Sequence, residues 1–525
     1  MTTIRRIYAY LLAFAGLAMV SLAAANLLQL LVDLGLRSAL VSTDSYVRDT
    51  VSLYAAAALV GLPVWLLHWL WIERSVRADP AERASTLRRL YLYAVLVGAT
   101  LELVGAARDA LFSAFAALAG PEAQSWSAIV RPLPFALIAL GVWWAHWRIA
   151  ATARAQSGET GGSATLRRWY VYGAAFVGLV LLLTGTQGVL ESLWHMVAQA
   201  GGPIGPGLAR PAADALVGLA LWLVHWTVLP RPDDDRTSVL RSVYLFLALA
   251  VAVVGTLLGL SQLLYYAVAR VLGVDRPGGV GGDLLQAAAG PVSIAIVYGA
   301  AWAYQRGALA RPHAAIQRLY TYLVALVALG VLASGVAGLV WTFGDLLLPG
   351  SPTFSGDVWR EQVALYATLA MVGLPAWLLH WRRRLTSGEE ARGLARRLYL
   401  YLSLIVAMLA LVSSAAAGLY RLLGLILGSG FSVSAAADLA HAVAVACVAA
   451  VVAAYHWRVI RADAHVSQPD ARAESAEPAA ATVEIRAADA VSLSRALAAL
   501  RSTGVQVTVL SAATHADAGA LAPRR

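Results

Sequence analysis

Apolar stretches long enough to form bilayer-crossing helices recur along the whole chain of 525 residues. Each holds about 20 residues, and an α-helix of that length crosses a hydrocarbon core of about 30 Å. Twelve such stretches occur, at 7–32, 50–72, 90–112, 131–148, 169–193, 212–229, 243–270, 284–305, 319–348, 361–381, 398–427 and 437–457. A helix satisfies its own backbone hydrogen bonds in lipid, which an open strand does not. The sequence therefore predicts an all-α membrane protein with twelve transmembrane helices.

The composition supports this class and excludes others. Hydrophobic residues make up 60% of the chain and charged residues 13%, whereas an ordinary soluble domain is about 25% charged. The single cysteine, Cys447, excludes a disulfide framework and a thiolate metal site. The sequence contains no Walker A loop, dinucleotide-binding fingerprint, zinc-protease motif or nucleophile elbow. We therefore expect a non-enzymatic protein that has no cofactor or metal.

The predicted helices form pairs, and the pair repeats six times along the chain. We place the repeats at 1–74, 75–148, 149–229, 230–305, 306–384 and 385–461. The first helix of each pair opens with a basic-aromatic signature, such as Arg88-Arg89-Leu90-Tyr91-Leu92-Tyr93. The second helix ends in a His-Trp pair in five copies: His68-Trp69, His146-Trp147, His225-Trp226, His380-Trp381 and His456-Trp457. The fourth copy departs from this pattern and has Tyr304-Gln305 instead.

This pair of motifs resembles a bacterial membrane domain known as domain of unknown function 5671. The resemblance rests on an Arg-Arg-Leu-Tyr-Leu-Tyr helix, as at 396–401, and on a helix ending in Leu-Pro-x-Trp-Leu-Leu-His-Trp, as at 374–381. It is strongest at 317–384, then at 5–74 and 396–458. The resemblance implies an integral membrane protein built from repeats, and it supplies no activity.

The arginines predict the orientation of the chain. The segments that carry the signatures, together with both ends up to Arg472, hold 26 Arg, and the alternate loops hold nine. The positive-inside rule therefore places both termini in the cytoplasm, and the resemblance to a bacterial domain implies that the membrane is a bacterial inner membrane. Arginine clusters between apolar runs are typical of membrane topology, so nucleic acid is not an expected partner. In a competing interpretation, Arg5-Arg6 and Ala23-Ala24-Ala25 belong to a cleaved secretory signal, but the same opening recurs internally.

The repeated motifs have a structural interpretation and several chemical alternatives. His and Trp at a helix end are typical anchors at the membrane interface, and the signature Arg and Tyr are expected to contact anionic lipid headgroups. The two tyrosines of a signature point about 200° apart, so we expect one to face the bundle and one to face lipid. The alternatives for the histidines are axial ligation of haem and proton relay.

Two carboxylates are the candidate functional residues. Glu102 lies about 20 Å along its helix from Arg88 at 1.5 Å per residue, a depth at which charge is costly. The equivalent residues in the other copies are uncharged: Met19, Leu181, Gly255, Val331 and Ala410. Asp109 lies seven residues further on, on the same predicted face. A structural, hydrogen-bonded carboxyl is the alternative interpretation of Glu102.

The C-terminal segment differs from the repeats. Residues 462–481 have a linker composition. Two segments in which apolar and polar residues alternate flank a short helical segment at 482–510, which predicts a small cytoplasmic β-α-β unit. Its strands are predicted at 482–486 and 504–509, its helix at 492–500, and residues 511–525 form a tail. Because about 30 residues bury little core, we expect this unit to bind a protein partner, to self-associate or to be only marginally ordered.

Three functions remain open from the sequence. The leading hypothesis is a membrane scaffold or sensory module that reports through the C-terminal unit. The second is a transporter or channel for a small or lipophilic solute, which would need a cavity beside Glu102. The third is an electron carrier that holds haem between its histidines.

Overall fold

The computed structural model describes residues 3–36, 44–120, 126–158, 161–198, 206–230, 235, 238–275, 277, 284–309, 314–348, 358–381, 393–427, 432–474 and 489–502. The chain divides into two compact units, Met1–Ala464 and His465–Arg525. Within the described residues, twelve helices are long and apolar enough to cross a membrane, which confirms the predicted polytopic architecture. Apolar stretches of this length form transmembrane helices because each turn of an α-helix satisfies its own backbone hydrogen bonds in lipid.

The twelve spanning helices form six hairpins in chain order. Their bounds are α1 Thr3–Gly35, α2 Asp44–Ala78, α3 Thr86–Ala119, α4 Leu133–Ser157, α5 Gly162–Ala198, α6 Ala209–Leu223, α7 Val239–Val271, α8 Ala289–Leu309, α9 Ala314–Leu346, α10 Val358–Trp381, α11 Leu394–Ile426 and α12 Val433–Glu474. Short helices at Trp126–Val130 and Leu284–Ala287 precede α4 and α8, and a π-helical turn at Val224–Val228 continues α6. We call the end of the bundle that carries the signatures the signature end.

In the C-terminal segment, the helix Ala490–Ser502, here α13, agrees with the predicted helix at 492–500. The β-α-β unit as a whole is not supported, because no strand occurs in the described parts of the chain. Both predicted strands, at 482–486 and 504–509, lie outside the described residues, as does the tail. Helix α12 continues to Glu474, so the first part of the predicted linker is helical.

Neighbouring hairpins pack in chain order. The first helix of one hairpin contacts both helices of the next, as α3 contacts α5 and α6. The first helices also contact one another in succession, from α1 to α11. The first helices of internal hairpins therefore lie between protein neighbours, as expected for a repeat array in which each unit packs on the next.

This packing corrects the expectation for the signature tyrosines. In the first hairpin Tyr8 is 54% exposed and Tyr10 is buried, as predicted. In the second hairpin Tyr91 and Tyr93 are both buried, at 4% and 3% exposure. The prediction assumed lipid on one side of every first helix, whereas an internal hairpin has a protein neighbour on each side.

Glycines bring the two helices of the odd-numbered hairpins into close contact. Gly61, Gly218 and Gly373 each lie seven residues before the histidine of the His-Trp pair. A Cβ added to Gly218 would lie 2.3 Å from the backbone nitrogen of Leu182, and one on Gly373 would lie 2.5 Å from that of Leu332. Small residues permit this approach in membranes, where packing drives helix association.

The even-numbered hairpins have larger residues at this position, namely Ala139, Tyr298 and Ala449. In the second hairpin, a Cβ added to Gly98 or to Gly141 would meet open space, with no atom within 4 Å. Helices α3 and α4 are therefore not held together by the glycine contacts that hold α1 to α2 and α5 to α6.

Candidate functional site

A group of polar contacts around a buried signature tyrosine connects each of several hairpins to the next, and we call such a group a joint. The joint between the second and third hairpins shows the role of the repeated aromatic residues. The first signature tyrosine of the third hairpin, Tyr170, is buried. Its hydroxyl accepts a hydrogen bond from Nε1 of Trp143 at 2.6 Å, in the preceding hairpin, and lies 3.0 Å from Nε2 of His225 in its own. The hydroxyl of Thr100 lies 3.0 Å from the same oxygen. One tyrosine thus links two hairpins through three polar contacts.

The same joint recurs between the fifth and sixth hairpins. Nε1 of Trp377 donates to the hydroxyl of Tyr399 at 2.9 Å, and Nε2 of His456 lies 3.1 Å from that oxygen. The ring of Trp381 packs on Tyr399 with 4.7 Å between centroids. The joint therefore uses the His-Trp pair and the signature together, although the two motifs lie on different helices.

The fourth copy keeps this arrangement with a different residue. Gln305 occupies the histidine position, and its Nε2 lies 3.5 Å from the hydroxyl of Tyr244. Nε1 of Trp222 donates to the same oxygen at 2.8 Å. In this copy the amide of Gln305 therefore lies beside the tyrosine hydroxyl, where the other joints have an imidazole.

Sequence reasoning missed the tryptophan of the joint. It lies three residues before the histidine position, and the pattern Trp-x-x-His could have revealed it. It is present in five copies: Trp65, Trp143, Trp222, Trp302 and Trp377.

Three of the five histidines are buried inside the protein, where an anchor would face the membrane interface, whereas His68 and His380 are partly exposed. His146, His225 and His456 are all at most 4% exposed. In all five copies Nδ1 lies 2.7–2.9 Å from the carbonyl oxygen four residues earlier, so Nδ1 carries the donated proton. In His225 and His456, Nε2 is also engaged by a tyrosine. With both nitrogens occupied, these two rings do not suit axial ligation of haem.

The signature arginines form ion pairs at the signature end. The guanidinium of Arg167 makes two hydrogen bonds to Asp235, at 2.7 and 2.8 Å. Asp235 follows the second helix of the same hairpin. Two further arginines also pair with an acid near the end of the second helix: Arg6 with Glu82, after α2, at 2.6 Å, and Arg396 with Asp463, within α12, at 2.7 Å. Each of these arginines forms an ion pair with an acidic residue near the end of the second helix of its hairpin. Part of the positive charge at the signature end is therefore neutralised within the protein.

A cleft lies between the first and second hairpins, where α1, α3 and α4 meet. Its inner part is an apolar cavity of about 200 Å³ lined by Phe14, Leu17, Ala139 and Glu102, among others. A wider polar mouth of about 520 Å³ adjoins it, and Glu102 and Phe135 line both parts. The structure thus places Glu102 at the boundary between an apolar chamber and a polar entrance. Its side chain is exposed to this cleft, not buried as the sequence suggests.

The predicted partner of Glu102 on the same face, Asp109, lies in the mouth of the cleft. Its carboxylate accepts a hydrogen bond from Arg210 of the third hairpin at 3.0 Å. Arg131 also lines the mouth and lies 3.1 Å from the fully buried Asp33 of α1. Sequence analysis did not single out Asp33. Glu102 itself makes no ion pair or hydrogen bond with any residue that the structure describes.

The cleft is closed towards the signature end. Leu17 and Val95 line the apolar cavity and also belong to a buried cluster that contains Tyr10 and Tyr91. Val142 packs against the same cluster. The cavity therefore ends at a packed joint, and its polar mouth lies towards the opposite end of the hairpins.

The equivalent space differs in the other even-numbered hairpins. In the fourth, the ring of Tyr298 packs against Gly255, at the positions of Ala139 and Glu102, and a Cβ on Gly255 would lie 2.2 Å from that ring. In the sixth, a cavity of about 470 Å³ is lined by Ala410 and His441. That cavity also contains a carboxylate, Asp438, which pairs with Arg421, so among the even-numbered hairpins only the second has a carboxylate at the position of Glu102.

Comparison with known proteins supplies a family and no activity. The model of the family described as Domain of unknown function (DUF5671) matches residues 6–141, 110–205, 168–300 and 318–438, more than half of the chain. Three of these matches each cover about two hairpins, one odd-numbered and one even-numbered. No curated protein and no solved structure matches the chain.

Proposed function

The chain belongs to the DUF5671 family, whose description assigns no activity, and from its cleft we propose a non-enzymatic sensory module of the bacterial inner membrane. The observation that carries the proposal is the cavity beside Glu102, which is open at one end and packed at the other. A concave site with one polar group at an apolar wall is typical of ligand binding. The closed end favours binding over passage.

The cleft is placed where its occupant would act on the hairpin array. Its walls come from two hairpins, and its closed end adjoins the joint of Tyr91. That ring lies 5.7 Å from the ring of Trp69 and 5.9 Å from that of His146. An occupant that changes the spacing of α1, α3 and α4 would therefore alter this joint, and each further joint links the next hairpin. Helix α12 leads from the last hairpin to the C-terminal segment, which is the proposed output.

The proposed orientation places the signature end and both termini in the cytoplasm, following the arginine distribution. Three exposed arginines at this end lie over tryptophan rings: Arg5 over Trp71 at 5.5 Å, Arg148 over Trp144 at 4.9 Å and Arg461 over Trp457 at 5.0 Å. These arginine-tryptophan pairs are the proposed contacts with anionic lipid headgroups, where amphipathic rings and cations are both favoured. The ligand would then enter from the periplasmic side.

The test fills the cleft by substitution and measures amide hydrogen exchange in the C-terminal helix α13. Ala139→Tyr copies the plug that Tyr298 forms in the fourth hairpin. Gly98→Leu fills the same space from α3, where a Cβ meets no atom within 4 Å. We expect both variants to change amide hydrogen exchange at 490–502 in the full-length protein, and Ala139→Ser to leave it unchanged. If both plugs alter exchange only beside the cleft, the sensory proposal is wrong.

The rival function, a transporter, is favoured by one observation, since it requires a cavity that touches Glu102 and such a cavity is present. It also requires that the closed end can open. Uptake of a labelled small solute into proteoliposomes, lost in Glu102→Gln, would favour the transporter. Absence of uptake alongside a response at 490–502 would favour the sensor.

A further inference from the structure

Glu102 is a charged group of the cleft without an opposite charge in the described part of the chain. We propose that a small organic ammonium cation binds there and supplies that charge. The inference rests on the proposed function, because it names the ligand class of the same cleft.

The charges around Glu102 are already committed to other partners. Arg131 lies 3.1 Å from Asp33, and Asp109 pairs with Arg210 at 3.0 Å. A carboxylate that faces an apolar wall at membrane depth attracts a counter-charge more strongly than one in bulk water, because the surrounding dielectric constant is lower. Since Arg131 of the mouth and Arg210, which contacts Asp109, both have acidic partners, a ligand is the remaining source of positive charge for Glu102 in the described cleft.

The walls of the cavity favour an organic cation over a metal ion. Phe14 and Phe135 both line the space next to Glu102, and aromatic faces attract ammonium groups. Leu17 and Ile138 provide apolar contact for methyl or methylene groups. A hard metal ion requires about six or more oxygen ligands, whereas the inner cavity is mainly apolar, with Ser21 as a further polar residue of its lining.

The size of the cavity sets the size of the ligand. A volume of about 200 Å³ corresponds to about seven water molecules at roughly 30 Å³ each. Choline and similar short-chain ammonium compounds are of this size. The wider mouth adds room for a polar tail near Gln29.

Comparison of the repeats argues against a purely structural role for the carboxylate. The equivalent residues in other hairpins are apolar or glycine, yet those hairpins form without an acid at this level. In the fourth hairpin, Gly255 and Tyr298 fill the corresponding space. The second hairpin therefore combines a carboxylate with a small residue, Ala139, where its fold does not require either.

The experiment compares choline with its neutral isostere 3,3-dimethylbutan-1-ol, measured by ligand-observed NMR on the full-length protein in detergent. We expect wild type to bind choline at least tenfold more tightly than the alcohol. Glu102→Gln preserves the shape of the side chain and should bring the two affinities to within about twofold. Ala139→Tyr should abolish binding of both. Glu191→Gln, at a carboxylate that accepts a hydrogen bond from Gln187 of its own helix, is the matched control and should retain the preference for choline.

The two proposals fail in different ways. Equal affinity for the two probes in wild type, no binding of either, or an unchanged preference in Glu102→Gln would overturn the ammonium ligand. The response of residues 490–502 to the two plugs needs no added ligand, so the sensory proposal can stand or fall independently. Thermal melting of Glu102→Gln at the wild-type temperature would exclude misfolding as the cause of lost choline binding.

Discussion

Replacing Tyr170 by Phe removes the oxygen at the centre of one joint and leaves the rest of the ring in place. That hydroxyl contacts Trp143 at 2.6 Å, His225 at 3.0 Å and Thr100 at 3.0 Å. Hydrogen bonds between membrane helices average about 0.6 kcal/mol, and those in soluble proteins about 1 kcal/mol. Three lost contacts thus predict a decrease of about 2–3 kcal/mol in the free energy of unfolding. The indole N–H of Trp143 loses its partner and adds to this cost.

The assay is equilibrium unfolding in mixed micelles of mild detergent and dodecyl sulfate, followed by far-UV circular dichroism. Tyr8→Phe is the matched control, because Tyr8 holds the same signature position but is 54% exposed. Its hydroxyl makes no hydrogen bond to a described residue, so we expect a change below about 0.5 kcal/mol. If Tyr170→Phe and Tyr8→Phe are equally stable, the joints do not hold the hairpins together.

Other parts of the bundle give three further predictions. Gly218→Leu should prevent α5 and α6 from packing together, because even a Cβ would lie 2.3 Å from the backbone nitrogen of Leu182. Gel filtration should show loss of the folded fraction, and a normal elution profile would contradict this prediction. The hydrogen bonds from Arg6 lower the pKa of Glu82, so this pair should stabilise the protein above the unfolded carboxyl pKa of about 4.3 and lose that effect as pH falls through the lower folded pKa. Glu82→Gln should therefore flatten the acid limb of a stability profile, and an identical limb in both proteins would refute the assignment. Tyr298→Ala should open a cavity in the fourth hairpin and decrease the free energy of unfolding by about 2–4 kcal/mol, measured by the same micelle titration. A change under about 0.5 kcal/mol would mean that the tyrosine does not fill that space.

The hairpins and their number could be predicted from the sequence because hydrophobic length and repeated motifs are local properties. The signature and the His-Trp pair were also visible, but their roles were not. An anchor at the interface and a partner in a joint have the same position along a helix. They differ in which neighbour lies opposite, as the burial of His225 against Tyr170 illustrates.

Only part of the candidate site could be predicted from the sequence, for a similar reason. Glu102 stood out because it breaks the repeat, whereas the cleft depends on small differences between hairpins. Gly61 allows the backbones of α1 and α2 to approach closely, whereas the second hairpin has Ala139 at that position and a cavity beside it. Asp33 gave no signal at all, because its burial depends on Arg131 from the next hairpin.

By itself the sequence determined that this polypeptide forms twelve spanning helices in six related pairs, since each helix satisfies its own backbone and needs only enough apolar length. Tertiary structure decided which tyrosines are buried, which arginines are paired and where a cavity remains. These outcomes depend on the distance between helices, and that distance is set by contacts between residues far apart in the chain.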